Sequence, residues 1–246
     1  MGSSSLWNGT LSPDEFNTAA TALAKRWKET DSTLPEWIWI PCQRMGVSSS
    51  NVEGYLALEK VYRHRGSEED KADDNCSVDE GLVDDDATLV CGNNDDLHVY
   101  DFHIVYSYSY RVPILYFRGY QSVCLLQEHP CFLFSYLVIE TEISDCIISV
   151  DGHPLSLDEI VMDLPPHSSN TLKESKWTFL TQEEHPYLNR PWYMLHPCGI
   201  SDWMKLLLVD GVSNEGSKTP QYLPAWLSVI GQAVGLRIPL ELHHKP

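Results

Sequence analysis

Cys198 lies in the setting of this chain that most favours chemistry. Residues 192–195 are four bulky apolar residues in a row, which predicts a short buried strand. Pro197 has no N–H for a strand ladder and holds His196 in the extended region, so the strand should end there, with Gly199 following the cysteine. A thiol at a strand end is reachable and held still, as a nucleophilic thiolate requires. The alternative is a buried cysteine that behaves as a small apolar side chain.

Two further side chains are candidates for the same site. His196 could hydrogen-bond an oxyanion or orient an incoming group, or it could satisfy a backbone carbonyl at the strand end. Residues 97–110 predict a long strand whose tyrosines alternate with serines, which gives it one aromatic face: Tyr106, Tyr108 and Tyr110. We take Tyr110 as the tyrosine that reaches the site or a partner. The alternative is that these tyrosines belong to the core.

The pattern of cysteines and histidines also allows a zinc-binding module. Two His-x-Cys pairs, His129 with Cys131 and His196 with Cys198, could together bind the metal, although the chain has no Cys-x2–4-Cys knuckle. The segment His129-Pro130-Cys131 repeats the motif of residues 196–198, but no apolar strand leads into it. We assign Cys131 no role, and we expect neither a metal nor a cofactor.

A cysteine hydrolase is a third reading of Cys198. A distant histidine, such as His103 or His153, would then activate the thiol, and water would accept the acyl group. No protease signature surrounds the cysteine in the sequence.

The hydrophobic pattern indicates which elements position these residues. Ser12 and Glu15 form a capping box that opens a first helix with one apolar stripe. Later helices should begin near Ser156 and Ser201, and a last helix should end at Gly235. Strands are predicted at residues 37–40, 52–62, 97–110 and 111–118.

Length and composition indicate one globular domain over residues 1–246, with 43% hydrophobic residues. The net charge of −18 argues against nucleic acid or an anionic membrane as the main partner. None of the seven cysteines forms a CxxC pair and no signal peptide precedes them, so we expect free thiols in the cytoplasm. The longest apolar run, residues 131–139, is too short to span a bilayer.

Residues 67–96 stand apart by their charge. They contain 12 acidic residues and one basic residue, Lys71, and so account for −11 of the net charge. A segment of this composition cannot bury enough apolar surface to order itself. We predict a disordered acidic loop, for which a specific docking role is the alternative to plain solvation.

Three segments of the chain resemble the autophagy E2-like conjugating enzymes. They are QEEHPYLNRPWYMLHPC at 182–198, FHIVYSYSYRVPILYFR at 102–118 and YLPAWLSVIGQAVGLRIPL at 222–240. Within that group they are most similar to the Atg10 type, which joins the ubiquitin-like modifier Atg12 to a lysine of Atg5. The resemblance implies an α+β fold of the E2-like (UBC) type, an antiparallel sheet flanked by helices. It also implies Cys198 as the thioester-forming nucleophile, with Atg7 as the activating enzyme.

The Atg3 type, which conjugates a ubiquitin-like protein to phosphatidylethanolamine, is the alternative within that family. It also has an HPC motif and a long acidic insertion. The QEEHP lead-in and the C-terminal segment favour the Atg10 type, and the first helix lacks a basic face for membranes.

Residues 121–150 depart from the pattern of that family, in which the turn at Asp151-Gly152 follows the strand after only a few residues. The segment contains three of the seven cysteines and an apolar run that is not typical of a surface loop. We therefore predict an atypical insertion that is an accident of this version of the chain, such as unspliced coding sequence.

Overall fold

The computed structural model describes residues 7–30, 34–42, 53–64, 97–121, 123–124, 148–149, 153–174, 180–209 and 218–243. The acidic segment 67–96 and most of residues 121–150 lie outside these ranges. The predictions of a disordered loop, of an atypical insertion and of a single domain therefore stay predictions.

An antiparallel sheet forms the centre of the fold. The strands in the described ranges are β1 (Ile38–Cys42), β2 (Glu53–His64), β3 (Leu97–Ser107), β4 (Val112–Gln121), β5 (Val123–Cys124), β6 (Ile148–Ser149), β7 (Leu180–Glu184) and β8 (Pro191–Leu195). Six of them make one sheet in the order β1-β2-β3-β4-β8-β7, and β5 pairs with β6. Every one of these pairs is antiparallel.

Helices lie before, between and after the strands of the sheet along the chain. They are α1 (Pro13–Thr30), α2 (Leu157–Asp163), α3 (Pro166–Glu174), α4 (Ile200–Val209), α5 (Thr219–Ala233) and a short 3-10 helix, Leu240–His243. Both predicted capping boxes are present, at Ser12 and at Ser156. Gly235 follows α5 with a φ of 66°, as expected of a residue that ends a helix. The predicted α+β class is confirmed.

The main core lies between one face of the sheet and the helices α1 and α5. Its largest fully buried side chains include Trp27, Tyr222 and Trp226. Full burial of an apolar side chain of this size stabilises a fold by about 2–3 kcal/mol. Alternate residues of the same strands point the other way and form a smaller cluster on the outer face of the sheet, around Tyr55 and Trp192.

The strand predicted at residues 97–110 is too long. The strand β3 ends at Ser107, and residues 108–111 form the turn that leads into β4. Arg111 adopts a φ of 57° there, and its N–H donates to the carbonyl oxygen of Ser107 at 2.7 Å. Tyr106 is buried, whereas Tyr108 and Tyr110 are exposed on the turn, and Tyr108 packs edge-on against Tyr106 with ring centroids 5.0 Å apart. The three tyrosines therefore do not form the single strand face that we predicted.

Other boundaries also differ from the prediction. No strand was predicted immediately before residue 192, but residues 180–184 form the edge strand β7, whose mostly exposed side chains show no apolar alternation. The strand predicted at 37–40 runs to Cys42 and includes Pro41, which an edge strand tolerates. The helix α3 was not predicted.

Two long stretches of the chain, residues 65–96 and 122–152, leave the six-stranded sheet at the same end. His64 pairs with Leu97 across β2 and β3, and His98 pairs with Gln121 across β3 and β4. The N–H of Gln121 also donates to the carbonyl oxygen of His153 at 3.3 Å. The residues that flank each stretch are therefore neighbours: His64 and Leu97 for residues 65–96, and Gln121 and His153 for residues 122–152.

No helix within the described ranges is long and apolar enough to cross a membrane.

Candidate active site

The strand β8 holds the segment that leads to the thiol. It lies between β4 and β7 and pairs with β7 along its whole length, from Pro191 to Leu195. Trp192 packs on the outer face, whereas Tyr193 and Leu195 belong to the main core. Because its side chains are anchored on both faces, β8 fixes the place where the chain leaves the sheet.

Cys198 is exposed at the end of this strand, as predicted. Pro197 before it is buried, and α4 begins two residues after it at Ile200. Gly199 has a φ of 78°, and apart from its chain neighbours no atom of the described residues lies within 4 Å of the place that a Cβ would take there. The thiol is therefore open on this side. The positive end of the α4 dipole adjoins it, which favours negative charge that develops at the sulfur.

The ring of His196 is fixed by the backbone of the cysteine. The N–H of Cys198 donates to Nδ1 of His196 at 3.1 Å. In a neutral ring that accepts through Nδ1, the proton is on Nε2. The ring can therefore offer an N–H to an oxyanion beside the thiol. This contact differs from the alternative in which the histidine satisfies a backbone carbonyl.

Tyr110 also lies beside His196. Its ring centroid lies 5.9 Å from that of His196, at an interplanar angle of 76°, and the residue is 49% exposed. The turn between β3 and β4 presents it, and the side chain of Ser107 steadies this turn by accepting the N–H of Tyr110 at 3.3 Å. The structure thus brings Cys198, His196 and Tyr110 together, although by a turn and not by a strand face. The catalytic role of each stays a prediction.

A second group of titratable side chains lies on the outer face of the sheet, beneath the β7–β8 loop. Nδ1 of His103 is 3.1 Å from Nε2 of His185, and both residues are buried. Burial, with the neighbouring His185 and the charge of Arg190, lowers the pKa of His103 to about 3. Burial and Arg190 lower the pKa of His185 to about 4. Both rings are therefore neutral near pH 7 and pack as apolar groups against Trp192.

The backbone of the same loop folds around His185. Its N–H donates to the carbonyl oxygen of Arg190 at 3.0 Å, and its Nδ1 accepts the N–H of Tyr187 at 3.3 Å. His185 therefore shapes the loop that covers β8.

Neither histidine of the hydrolase hypothesis lies beside the thiol. His103 lies in the middle of the sheet, where it contacts His185 and Trp192. His153 lies beside Gln121, at the end of the sheet opposite to Cys198. The zinc hypothesis needs His129 and Cys131, which lie outside the described residues. Among the described residues, no group of histidine, cysteine and acidic side chains could hold a metal ion.

Comparison with known proteins gives a consistent set of relatives. The family model for the autophagocytosis associated protein, active-site domain, matches residues 15–241. The ubiquitin-like-conjugating enzyme ATG10 of Arabidopsis thaliana is 43% identical over 245 residues, which cover 96% of either chain. The enzyme of the same name from Homo sapiens is 33% identical over 142 residues, 58% of this chain and 51% of its own. That of Dictyostelium discoideum is 34% identical over 150 residues, 58% of this chain and 54% of its own.

A crystal structure of the autophagic E2 Atg10 covers 93% of this chain and 100% of its own, with 14% identity and a TM-score of 0.40. That similarity is too low to carry an argument about the site. The family model covers residues 15–241, and the Arabidopsis thaliana relative, which is matched over 96% of this chain, is named as the Atg10 type. The chain belongs to the autophagocytosis-associated active-site domain family and, within it, to the Atg10-type E2-like ubiquitin-like-conjugating enzymes.

Proposed function

We propose that this chain carries Atg12 as a thioester on Cys198 and transfers it to a lysine of Atg5 in autophagosome formation. The observation that carries the proposal is the exposed thiol at the end of β8, with the ring of His196 fixed beside it by the N–H of Cys198. Atg7 would supply the activated modifier. The names of the relatives support this choice of modifier pathway.

The chemistry consists of two acyl transfers. In the first, the Cys198 thiolate attacks the carbonyl carbon of the Atg12–Atg7 thioester. The new C–S bond forms and the thiolate of Atg7 leaves. In the second, the neutral amine of the acceptor lysine attacks the thioester on Cys198, the thiolate leaves and an isopeptide bond remains. The amine gives up its proton to solvent or to a nearby base, and no oxidant or reductant takes part.

His196 and Tyr110 would act on the second transfer. The Nε2–H of His196 can donate to the oxyanion of the tetrahedral intermediate, since Nδ1 is held by the backbone. The ring of Tyr110 makes an edge contact with the ring of His196 and its side chain is half exposed, so its hydroxyl can orient the incoming lysine. This arrangement needs no metal and no cofactor.

Trapping of the modifier tests the nucleophile. With Atg7, Atg12 and ATP, the wild type should form an adduct that thiol reductants remove. Cys198→Ser should form an ester that resists them. Cys131→Ser is the matched control and should leave both the adduct and its transfer intact. If Cys131→Ser abolishes the adduct, the motif at residues 196–198 is not the active one.

Discharge of the loaded enzyme tests the two side chains. Loss of one oxyanion donor costs about 10²–10³ in rate, so His196→Ala should slow transfer to lysine by that factor. Tyr110→Phe distinguishes two roles of the tyrosine. If the hydroxyl orients the lysine, Tyr110→Phe should slow transfer to lysine as much as Tyr110→Ala does. If the ring only supports His196, Phe should keep the wild-type rate, and our assignment of Tyr110 is wrong.

We also propose that the protein acts in the cytoplasm as a single domain. Its net charge of −18 suits basic surfaces on partner proteins better than nucleic acid or an anionic membrane.

A further inference from the structure

The N-terminal residues 7–11, which we call the N-terminal strut, touch both elements that present the candidate site. At one end, the N–H of Leu11 donates to the carbonyl oxygen of Arg111 at 2.9 Å. The hydroxyl of Tyr106 donates to the carbonyl oxygen of Leu11 at 2.7 Å. The strut is thus bonded to β3 and to the turn that carries Tyr110.

At its other end the strut lies against the first turn of α4. A Cβ on Gly9 would lie 1.8 Å from the carbonyl oxygen of Ser201 and 3.1 Å from the nitrogen of Lys205. Gly9 also has a φ of 81°, where other residues are strained. The hydroxyl of Tyr222 donates to the carbonyl oxygen of Gly9 at 2.8 Å. Only glycine allows this backbone contact, three residues after Cys198.

The strut is braced within itself. Oδ1 of Asn8 accepts two hydrogen bonds from Thr10, one from its N–H at 3.1 Å and one from its hydroxyl at 2.7 Å. The indole N–H of Trp7 donates to the carbonyl oxygen of Thr10 at 3.1 Å, and the Trp7 ring packs edge-on against Tyr222. These contacts make residues 7–11 a stiff turn between the two elements.

Strand pairing between β4 and β8 stops before the turn that carries Tyr110. Among the described residues, the pairs between β4 and β8 are Tyr116 with Met194 and Phe117 with Tyr193. The remaining residues of β4 toward the turn pair with β3 alone, so the turn and the end of β8 are not held together there by strand pairing. The strut connects the turn to α4 where this pairing has stopped.

We propose that the N-terminal strut sets the distance between Tyr110 and the thiol of Cys198, and that Gly9 is a positioning residue for transfer to lysine. This inference rests on the proposed function. A side chain at Gly9 must push the strut away from Ser201 or push the first turn of α4 outward. Either shift separates the two sides of the site without touching the reacting atoms.

The test compares two reactions of the same thioester in Gly9→Ala. Hydroxylamine is small and needs no alignment, so it should release the modifier at the wild-type rate. The amine of lysine must be held between Tyr110 and Cys198, and a displacement of about 1 Å can cost about 10²-fold in rate. We expect that loss in discharge to lysine, with unchanged discharge to hydroxylamine.

Two glycines provide matched controls, measured at a temperature at which every variant is folded. Gly119→Ala adds a Cβ 2.7 Å from Cδ1 of Leu155, near the end of β4 away from the thiol. Gly235→Ala puts a side chain at a φ of 66°, and so matches the backbone strain at Gly9. Both should lower the melting temperature and leave the ratio of the two discharge rates as in the wild type. If Gly9→Ala has the same ratio as these controls, the strut is only structural and the proposal is wrong.

A second variant covers the case in which Gly9→Ala does not fold. The double change Tyr106→Phe and Tyr222→Phe removes the hydroxyl donors to Leu11 and Gly9 without adding atoms. It should lower discharge to lysine about tenfold relative to hydroxylamine, and an unchanged ratio would overturn the proposal. Failure of the wild type to form any reducible adduct would instead overturn the thioester chemistry, and the strut proposal with it.

Discussion

Acid should destabilise the fold through the two histidines buried beneath the β7–β8 loop. His103 and His185 contact each other through ring nitrogens 3.1 Å apart, and their pKa values fall to about 3 and about 4. Two protonated rings at this distance would repel each other, and Arg190 adds a further positive charge. The acidic side chain of Glu59, 3.5 Å from Nε2 of His103, opposes this effect from the exposed side.

Proton linkage gives the direction and the size of the change in the free energy of unfolding with pH. In the unfolded chain both histidines titrate near 6.5, above their values in the fold. The unfolded state therefore binds more protons below pH 6.5, and the free energy of unfolding falls as the pH falls. The stabilisation is fully present above pH 6.5 and is lost toward pH 4. At pH 5 both rings are still neutral in the folded state but protonated in the unfolded state. Between pH 6.5 and pH 5 each histidine therefore lowers the free energy of unfolding by about 1.4 kcal/mol per pH unit, or about 2 kcal/mol over the interval.

Denaturant unfolding at pH 7, 6 and 5 measures this loss. His185→Asn removes one of the titrating rings, so the variant should lose about 2 kcal/mol less than the wild type between pH 7 and pH 5. His153→Asn is the matched control, because solvent reaches that exposed ring in folded and unfolded chains alike. Its pH dependence should be that of the wild type. If His185→Asn and the wild type lose stability in parallel, the buried pair does not control the acid response, and the neutral packing described above is wrong.

Three other outcomes concern the ends of the strands and their contacts. Deletion of residues 67–96 should leave the melting temperature unchanged or slightly higher, since each halving of a loop favours folding by about 0.6 kcal/mol; a large fall in calorimetry would show that the segment packs on the core. A chain that joins Tyr120 directly to Asp151 should be more soluble and at least as active in discharge; loss of folding would make residues 121–150 part of the domain. Arg63→Leu should cost about 2–4 kcal/mol, because its guanidinium bonds the carbonyl oxygen of Val234 at 2.6 Å, and an unfolding free energy within error of the wild type would contradict this.

The presentation of Cys198 could be predicted because its causes are local. Four bulky residues specify a buried strand, and Pro197 ends it by removing a donor. The structure confirms both the strand and the exposure of the thiol. The capping boxes of α1 and α2 were predicted for the same reason, since each needs only residues three positions apart.

Tyr110 was selected from the sequence, but the turn that brings it beside His196 could not be predicted in the same way. The alternation of tyrosine and serine fits a strand through Tyr110, and no glycine, proline or asparagine marks the turn. Instead, Arg111 takes a left-handed conformation, which its bond to Ser107 and the bond from Leu11 hold in place. Contacts from distant parts of the chain outweigh the local pattern there.

The N-terminal strut has no local signature either. The bonds that place it join residues 95 and 213 positions apart, Tyr106 with Leu11 and Tyr222 with Gly9. A lone glycine in a polar segment indicates only a turn. That Gly9 lies against backbone of α4 can be known only once the tertiary contacts are known.

The two ends of the sheet differ in what they can tolerate. Residues 65–96 and 122–152 both leave from the end that carries Leu97 and Gln121, whereas Cys198 lies beyond the other end of strands about 30 Å long. Because the flanking residues are paired with each other, we expect a change of length at that end to leave the thiol in place. If the deletions above are tolerated, we also expect related chains to differ in length there. A fluorescent protein or a surface anchor inserted in place of residues 67–96 would leave the reacting end of the enzyme facing its partners.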